Sequence, residues 1–168
     1  DGSQTSTITL SVVDASSDDS FDSLADQTVS VSTTDNDTAG FTVTQSGGST
    51  TVAETGSTDT FTVVLNAQPT SDVVISVVSS DTGEATVSAG TLTFTNGNWD
   101  TPQTVTITGV DDDLVDGSQT TTTTLSGVDA SSDNDFDGVA DQTVSVSTTD
   151  NDTAGFTVTP VSYTHLRA

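Results

Sequence analysis

The sequence predicts an all-β fold built from two packed antiparallel sheets. Short segments in which apolar and polar residues alternate recur along the chain, and Gly, Asn, Asp and Ser separate them. Thr and Val, whose branched side chains favour a pleated backbone, are abundant, and no segment has helical periodicity. A chain of 168 residues is long enough to bury a core, although only 30% of the residues are hydrophobic.

Seven strands account for the alternation in the central part of the chain. Residues two apart face the same side of a strand, so each set of alternating apolar residues marks one buried face. In chain order, the buried positions are Phe41 and Val43; Phe61, Val63 and Leu65; Val73, Ile75 and Val77; Leu92 and Phe94; Val105 and Ile107; Thr123 and Leu125; and Val144 and Val146. Seven short strands joined by turns indicate an immunoglobulin-like β-sandwich.

A long internal repeat divides the chain. Residues 1–44 align without a gap with residues 116–159 and differ at only seven of these 44 positions, which gives a period of 115 residues. A period of this length corresponds to a whole domain and not to one turn of a solenoid. We therefore expect a tandem repeat array, of which this sequence is an excised stretch.

The repeat boundaries predict three segments. Residues 1–40 correspond to the C-terminal part of a preceding repeat, residues 41–155 to one complete repeat, and residues 156–168 to the start of the next repeat with an aberrant tail. The tail departs from the repeat at Pro160 and contains the only Tyr, the only His and the only basic residue of the chain. Since residues 1–40 lack most strands of their own repeat, we expect only a few unsupported strands there.

The charge of the chain excludes several classes of partner. Asp and Glu total 25 and Lys and Arg total one, so the formal net charge is -24. Nucleic acids and anionic membrane surfaces bind cationic side chains, so we expect neither as a partner, and no apolar run is long enough for membrane insertion. Because the chain has no Cys, cations bound by oxygen are the remaining cross-link for a secreted fold.

Acidic residues concentrate in segments that a sandwich places at one end. With strands alternating in direction, the connections after the first, third and fifth strands and the segment after the seventh lie at the same pole. This set contains Glu54, Asp81, Glu84, Asp111, Asp112, Asp113, Asp116, Asp150 and Asp152. Ca²⁺ takes roughly six to eight oxygen ligands in irregular geometry, so such a cluster suits it. Alternatively these acids are turn formers and solubilising charge, although three consecutive Asp residues repel one another unless a cation lies among them.

Four motifs of the central segment occur in a characteristic order and spacing. They are Val52-Ala53-Glu54-Thr55-Gly56, Gly90-Thr91-Leu92-Thr93-Phe94, Val105-Thr106-Ile107 ahead of Asp111-Asp112, and Asp150-Asn151-Asp152. On these motifs the segment 41–152 resembles a Calx-β domain, which is repeated in sodium–calcium exchangers and in large bacterial surface and adhesin-like proteins.

This resemblance implies a set of Ca²⁺ ligands. They would be Glu54, Asp81, Asp111, Asp112, Asp116, Asp150 and Asp152. The chain departs from the family pattern at Gln119, which stands where an acid is expected, and in the short connection that contains Asp81. Fewer charged ligands imply weaker binding or fewer ions. Asp35 and Asp37 are the repeat equivalents of Asp150 and Asp152 and are candidates for the same role.

A second acidic segment lies between the sixth and seventh predicted strands, at the opposite pole. Residues 133–141 resemble a small calcium loop in which Asp133, Asp137 and Asp141 would be the best ligands. The equivalent residues 18–26 lack its glycine and its middle Asp, so a turn-forming role explains the segment equally well. In a head-to-tail array Asp35 and Asp37 would lie near this segment of the next repeat. Calcium there would stiffen the junction, a hypothesis that small-angle scattering with and without calcium would test.

These observations predict a calcium-binding structural or adhesive extender module of a repetitive extracellular or cell-surface protein. Its expected partners are neighbouring repeats, with any surface glycan or protein ligand bound through other domains. The alternatives are a glycan- or protein-binding module and a salt-adapted acidic spacer without specific calcium sites. Trp99 is the candidate glycan contact, although a lone Trp beside a turn more often packs against a sandwich edge. We expect no enzymatic activity, because no carboxylate pair has an apolar cleft and His165 lies in the aberrant tail.

Overall fold

A computed structural model describes residues 2–162 of the chain. This part contains eleven β-strands in three sheets and four short 3-10 turns, which confirms the predicted all-β class. Residues 163–168 of the predicted aberrant tail, His165 among them, lie outside the described residues. Within the described residues, no helix has the length and apolar character needed to cross a membrane.

The strands form one hairpin and one sandwich. The hairpin consists of β1 (Gln4–Leu10) and β2 (Gln27–Thr33). The sandwich consists of β3 (Phe41–Gln45), β4 (Thr50–Ala53), β5 (Thr58–Leu65), β6 (Val73–Ser79), β7 (Ala85–Val87), β8 (Thr91–Phe94), β9 (Gln103–Gly109), β10 (Gln119–Gly127) and β11 (Gln142–Thr149).

Two sheets make up the sandwich. One has the strand order β4-β11-β10-β6-β8 and the other the order β3-β5-β9-β7. Neighbouring strands are antiparallel in every pair except β4 and β11, which run parallel. The predicted immunoglobulin-like two-sheet sandwich is therefore confirmed.

The core lies between the two sheets and is built from alternating residues. The inward positions of all seven predicted strands are buried, apart from Val43, which is partly buried against the core. Phe61, Phe94, Ile107 and Leu125 have 0% of their surface exposed. Burying each such side chain stabilises the fold by roughly 1.5–3 kcal/mol, so the alternation seen in the sequence is also the main source of stability.

Two strands of the sandwich, β4 and β7, lie outside the seven predicted segments. The chain reaches β4 from β3 through Gly47 and Gly48, whose φ angles of 64° and 83° let it turn and cross to the opposite sheet. The buried residues of β4 are Thr50 and Val52, so half of its buried face is polar and gives little hydrophobic alternation. The three residues of β7 are too few for a period to be recognised.

The hairpin β1–β2 has no strand neighbour outside itself among the described residues. Every residue of both strands is exposed. Its seven residue pairs run from Gln4↔Thr33 to Leu10↔Gln27, and the equivalent pairs of β10 and β11 run from Gln119↔Thr148 to Leu125↔Gln142. The two repeat copies therefore fold into hairpins of the same register, one exposed and one inside the sandwich.

Candidate metal centre

The parallel pairing of β4 with β11 places two acidic segments side by side. In this register Val52 lies opposite Thr148 and Ala53 opposite Thr149. The next residues along both strands are Glu54 and Asp150, and the N–H of Glu54 extends the ladder by donating to the carbonyl of Thr149 at 3.1 Å. Because parallel strands end at the same edge, Glu54 and Asp150 emerge next to each other.

A close approach of β9 brings a third acidic segment to the same edge. Gly109 ends β9, and a Cβ atom at this position would lie 2.2 Å from the carbonyl oxygen of Ala53. Only glycine leaves room for this approach. The residues that follow β9 begin the run Asp111-Asp112-Asp113, which therefore starts beside Glu54.

Three carboxylates form the centre of the site. Each of Glu54, Asp150 and Asp152 has an oxygen within 4.8 Å of an oxygen of the other two. Glu54 is 1% exposed, and the two Asp residues are half-buried. Three carboxylates at this separation repel one another strongly in a partly desolvated position, so the arrangement favours a bound cation.

Backbone N–H groups hold the carboxylate of Asp150 in place. One oxygen accepts from the N–H of Asp152 at 2.6 Å, and the other accepts from the N–H of Gly117 at 2.7 Å. Gly117 has a φ of 73°, a left-handed conformation that favours glycine. Each oxygen keeps a further lone pair, so Asp150 is oriented without losing its capacity to bind a metal.

Asn151 links the acidic segment after β11 to the acidic segments after β4 and β9. Its backbone N–H donates to Oε2 of Glu54 at 3.1 Å, and its side-chain amide donates to Oδ1 of Asp111 at 2.7 Å. These bonds fix the segment after β11 against the segments after β4 and β9. The carboxylates are therefore ordered with respect to one another by a neutral residue.

Two oxygens at this pole are buried without a hydrogen-bond partner. They are Oδ2 of Asp152 and Oε2 of Glu84. Glu84 precedes β7, where its backbone carbonyl accepts from the N–H of Val110 at 2.9 Å. Burying a carboxylate oxygen without a partner is costly, and a cation would remove that cost.

Burial and neighbouring charges together raise the pKa of three carboxyls at the pole. The N–H of Asn151 by itself lowers the pKa of Glu54, but burial and the charges of Asp150, Asp112 and Asp116 outweigh it and raise that pKa. For Glu84 and Asp152, burial is the largest cause of the raised pKa, and neighbouring acids add to it. All three groups resist ionisation in the absence of a positive charge.

The structure brings the seven resemblance-derived candidates to one pole. Asp111 and Asp112 raise the pKa of Asp152, and Asp81 and Asp116 raise that of Glu84. Asp81 is exposed, and its Oδ1 accepts from the N–H of Gly83 at 2.8 Å. The tight group of three is therefore surrounded by further carboxylates that are more accessible to solvent.

Glu84 is a candidate ligand that the resemblance to the Calx-β domain does not include. Its importance depends on β7, because this short strand fixes its backbone at the pole. The only signal in the sequence was its position in the connection after the third predicted strand. Asn151 was likewise missed, since its role comes from hydrogen bonds that the sequence does not show.

Asp133, Asp137 and Asp141 lie away from this pole, in the connection between β10 and β11. Asp133 is buried, and one of its oxygens accepts from the N–H and the hydroxyl of Thr70 and from the N–H of Ser71, at 2.6, 2.7 and 2.8 Å. Burial by itself raises its pKa, but these bonds and one from Asp135 lower it to about 2. Asp137 and Asp141 are exposed. Asp133 thus has partners that tie the loop between β5 and β6 to the loop before β11.

Asp35 and Asp37 lie between the hairpin and the sandwich. Together with Asp135 and Phe136 they line a groove of about 610 Å³. The N–H of Asp37 donates to Oδ1 of Asp35 at 3.0 Å, which matches the bond between Asp152 and Asp150. The structure therefore brings the pair close to the β10–β11 connection, and calcium binding at this junction stays a prediction.

Trp99 is partly buried and packs against the hydrophobic core. Its carbonyl accepts from the N–H of Leu65 at 3.1 Å. Both contacts belong to the sandwich itself, as expected for a tryptophan that covers a sandwich edge.

Comparison with known proteins finds structures with a similar fold but does not assign the chain to a family. No family model and no curated protein matches the chain. Domains 4 and 5 of the S-layer protein SbsC are similar, with a TM-score of 0.50 and 21% identity over 87% of this chain. The chain spans only 58% of that two-domain structure. The apo form of the Calx CBD1 domain is also similar, with a TM-score of 0.47 and 19% identity over 67% of this chain and 98% of the domain.

Proposed function

We propose that the chain is a calcium-binding structural module of a repetitive extracellular or cell-surface protein. The observation that carries the proposal is the group of Glu54, Asp150 and Asp152, whose carboxylate oxygens lie within 4.8 Å of one another at a half-buried pole. A site made only of oxygen donors selects hard cations. The tolerance of Ca²⁺ for irregular geometry suits it better than the strict octahedral demand of Mg²⁺.

The unpartnered buried oxygens support this assignment. Oδ2 of Asp152 and Oε2 of Glu84 lack hydrogen-bond donors, although most buried carboxylate oxygens in folded proteins have them. Glu54, Asp150 and Asp152 would hold the ion, and Glu84, Asp111, Asp112 and Asp116 would supply further oxygens around it. The bound ion would supply positive charge that neutralises the pole and joins four chain segments.

The structural part of the proposal follows from where these segments lie. The pole contains the ends of β4, β9 and β11 and the start of β7, which belong to both sheets. An ion held by all four would cross-link the sandwich without a disulfide. The likeness of the fold to S-layer domains and the repeat of residues 1–44 support an extender role at a cell surface.

Calcium titration of the full chain by isothermal calorimetry tests the proposal. We expect saturable binding of Ca²⁺ that is tighter than that of Mg²⁺ and is weakened at least about tenfold in Asp152→Asn, since ligand charge sets the affinity. Asp100→Asn, an exposed change in the connection between β8 and β9, is the matched control and should bind as the unmodified chain does. Equal, non-saturable heats for both cations would instead favour a salt-adapted acidic spacer.

A further inference from the structure

The hairpin β1–β2 exposes an apolar face that soluble proteins normally cover. Ile8 and Leu10 of β1 and Val29 and Val31 of β2 are 54%, 56%, 52% and 41% exposed. Ile8 lies opposite Val29, and alternation puts all four side chains on the same face. Neither outer edge of the hairpin pairs with a further strand within the described residues, so both edges are available for strand pairing.

The sister hairpin β10–β11 shows what covers such a surface. The equivalent residues Thr123, Leu125, Val144 and Val146 are 1%, 0%, 1% and 0% exposed. One edge of the sister hairpin pairs with β6 and the other with β4. The molecule therefore contains two equivalent hairpins. The face and edges of β10–β11 are covered by the sandwich, and those of β1–β2 are exposed.

We propose that the β1–β2 hairpin is a docking surface for a set of strands equivalent to β3–β9, which lie in residues 41–115. Its one occupant would be the copy of β3–β9 that lies ahead of residue 1 in a tandem polypeptide. This inference rests on the repeat and on the two exposure patterns, and it does not depend on the calcium proposal.

The sister hairpin also gives the register of docking. Residues 8–12 would pair antiparallel with a strand equivalent to β6, as residues 123–127 do. Residues 31–34 would pair parallel with a strand equivalent to β4, as residues 146–149 do. The apolar face would then lie against a sheet equivalent to β3-β5-β9-β7 and complete a second sandwich.

Two differences between the hairpins fall within the docking residues 8–12, and neither places a charge on the docking face. Val12 stands where the sister has Gly127, and a Cβ at Gly127 would meet only Oδ1 of Asp129, at 3.6 Å, an ordinary contact distance. Ile8 replaces the buried Thr123 and removes a hydroxyl from the interior. Both changes increase the apolar surface that the partner would cover.

A chain extended by a second copy of residues 41–115 tests the proposal. Residues 41–115 are added directly ahead of residue 1, which repeats the Val-Asp joint found at 115 and 116. Hydrogen–deuterium exchange of the hairpin amides is compared between the extended and the original chain. We expect the amides of residues 8–12 and 31–34 to exchange roughly 100-fold more slowly or slower still in the extended chain, because docking pairs both edges.

Two variants of the extended chain make the result specific. Ile8→Asp places a charge on the docking face and should remove the protection of the hairpin. Thr7→Asp, whose sister Thr122 is exposed, changes the opposite face and should leave the protection intact. In both variants the amides of β10 and β11 report that the original sandwich is folded.

Three outcomes would overturn the proposal. The hairpin could exchange equally fast in the extended and the original chains. The amides of the added residues could remain unprotected from exchange, although the same sequence folds against β10 and β11. Sedimentation could show the original chain to be a dimer with a protected hairpin, which would make a second copy the occupant.

Discussion

Glu54 is the residue on which the candidate site depends most. It is almost fully buried, its backbone extends the β4–β11 ladder, and its carboxylate faces the charges of Asp150, Asp112 and Asp116. The same burial that makes its charge unfavourable alone would strengthen its attraction to a cation. One side chain therefore links the fold of the pole to its proposed chemistry.

Replacing Glu54 by Gln should have opposite effects with and without calcium. In chelator, the amide keeps an acceptor for the N–H of Asn151 and removes a repelling charge, so the melting temperature should rise by roughly 2–4 °C. At saturating calcium, the melting temperature of Glu54→Gln should be lower than that of the unmodified chain. Thermal unfolding followed by circular dichroism measures both, with Asp100→Asn as the control. A fall of the melting temperature in chelator would show that the charge of Glu54 is not repelled in the folded state.

The raised pKa values of Glu54, Glu84 and Asp152 predict how stability depends on pH in chelator. An acid with a raised folded pKa destabilises the fold fully above that pKa and not at all below its ordinary value. Stability should therefore increase as the pH falls from 7 towards about 4.5, the ordinary range of these groups. Asp133 acts in the opposite sense below pH 3.8, because its stabilisation is lost as the pH falls towards its pKa of about 2.

Urea unfolding at several pH values between 4 and 7 measures this dependence. With calcium the trend should reverse, since protons compete with the ion for the same carboxylates. Identical pH profiles in calcium and in chelator would mean that no ion occupies the acids whose pKa values are raised.

At the scale of elements, the connection between β10 and β11 is held by Asp133. Its carboxylate joins this connection to Thr70 and Ser71, which precede β6. Asp133→Ala should lower the free energy of unfolding by roughly 2–3 kcal/mol, because four donors lose a charged acceptor. The response to calcium should be unchanged.

Asp137→Ala is the matched control for this change, since Asp137 is exposed in the same connection. Urea unfolding with and without calcium measures both variants. A large loss of calcium response in either variant would indicate a second calcium site in residues 133–141.

Much of the fold was predictable at this scale because the core strands alternate cleanly. Phe61, Val63 and Leu65 mark β5 by themselves, and the repeat shows that residues 1–44 and 116–159 share a structure. The strands β4 and β7 were not predictable, since β4 buries Thr50 and β7 is short. Their absence from the prediction also concealed why Glu54 and Glu84 come together.

The sequence was sufficient to predict which end of the sandwich contains the candidate site. It was not sufficient to predict how the acidic side chains are arranged there. Alternating strand direction sufficed to gather its acids at one end. The parallel β4–β11 register, the close approach at Gly109 and the two hydrogen bonds of Asn151 required coordinates. These features decide which three of the acids form the tight group.

At the scale of the whole molecule, a net charge of -24 opposes folding unless part of it is neutralised. The chain has no Cys, and its one basic residue, Arg167, lies in the tail that follows the repeat, so bound cations are the available neutralising charge. The hairpin β1–β2 and the sandwich show how one repeat would follow another. In such an array, calcium at the pole of each repeat would lie close to the next.

Thermal unfolding of the full chain in Ca²⁺, in Mg²⁺ and in chelator, at matched ionic strength, tests the central claim most directly. A site filled at about ten times its dissociation constant adds roughly 1.4 kcal/mol, which raises the melting temperature measurably. We expect this rise with Ca²⁺, with a smaller rise or none in Mg²⁺. The same melting temperature in all three conditions would contradict a specific calcium site and leave an acidic spacer that responds to salt alone.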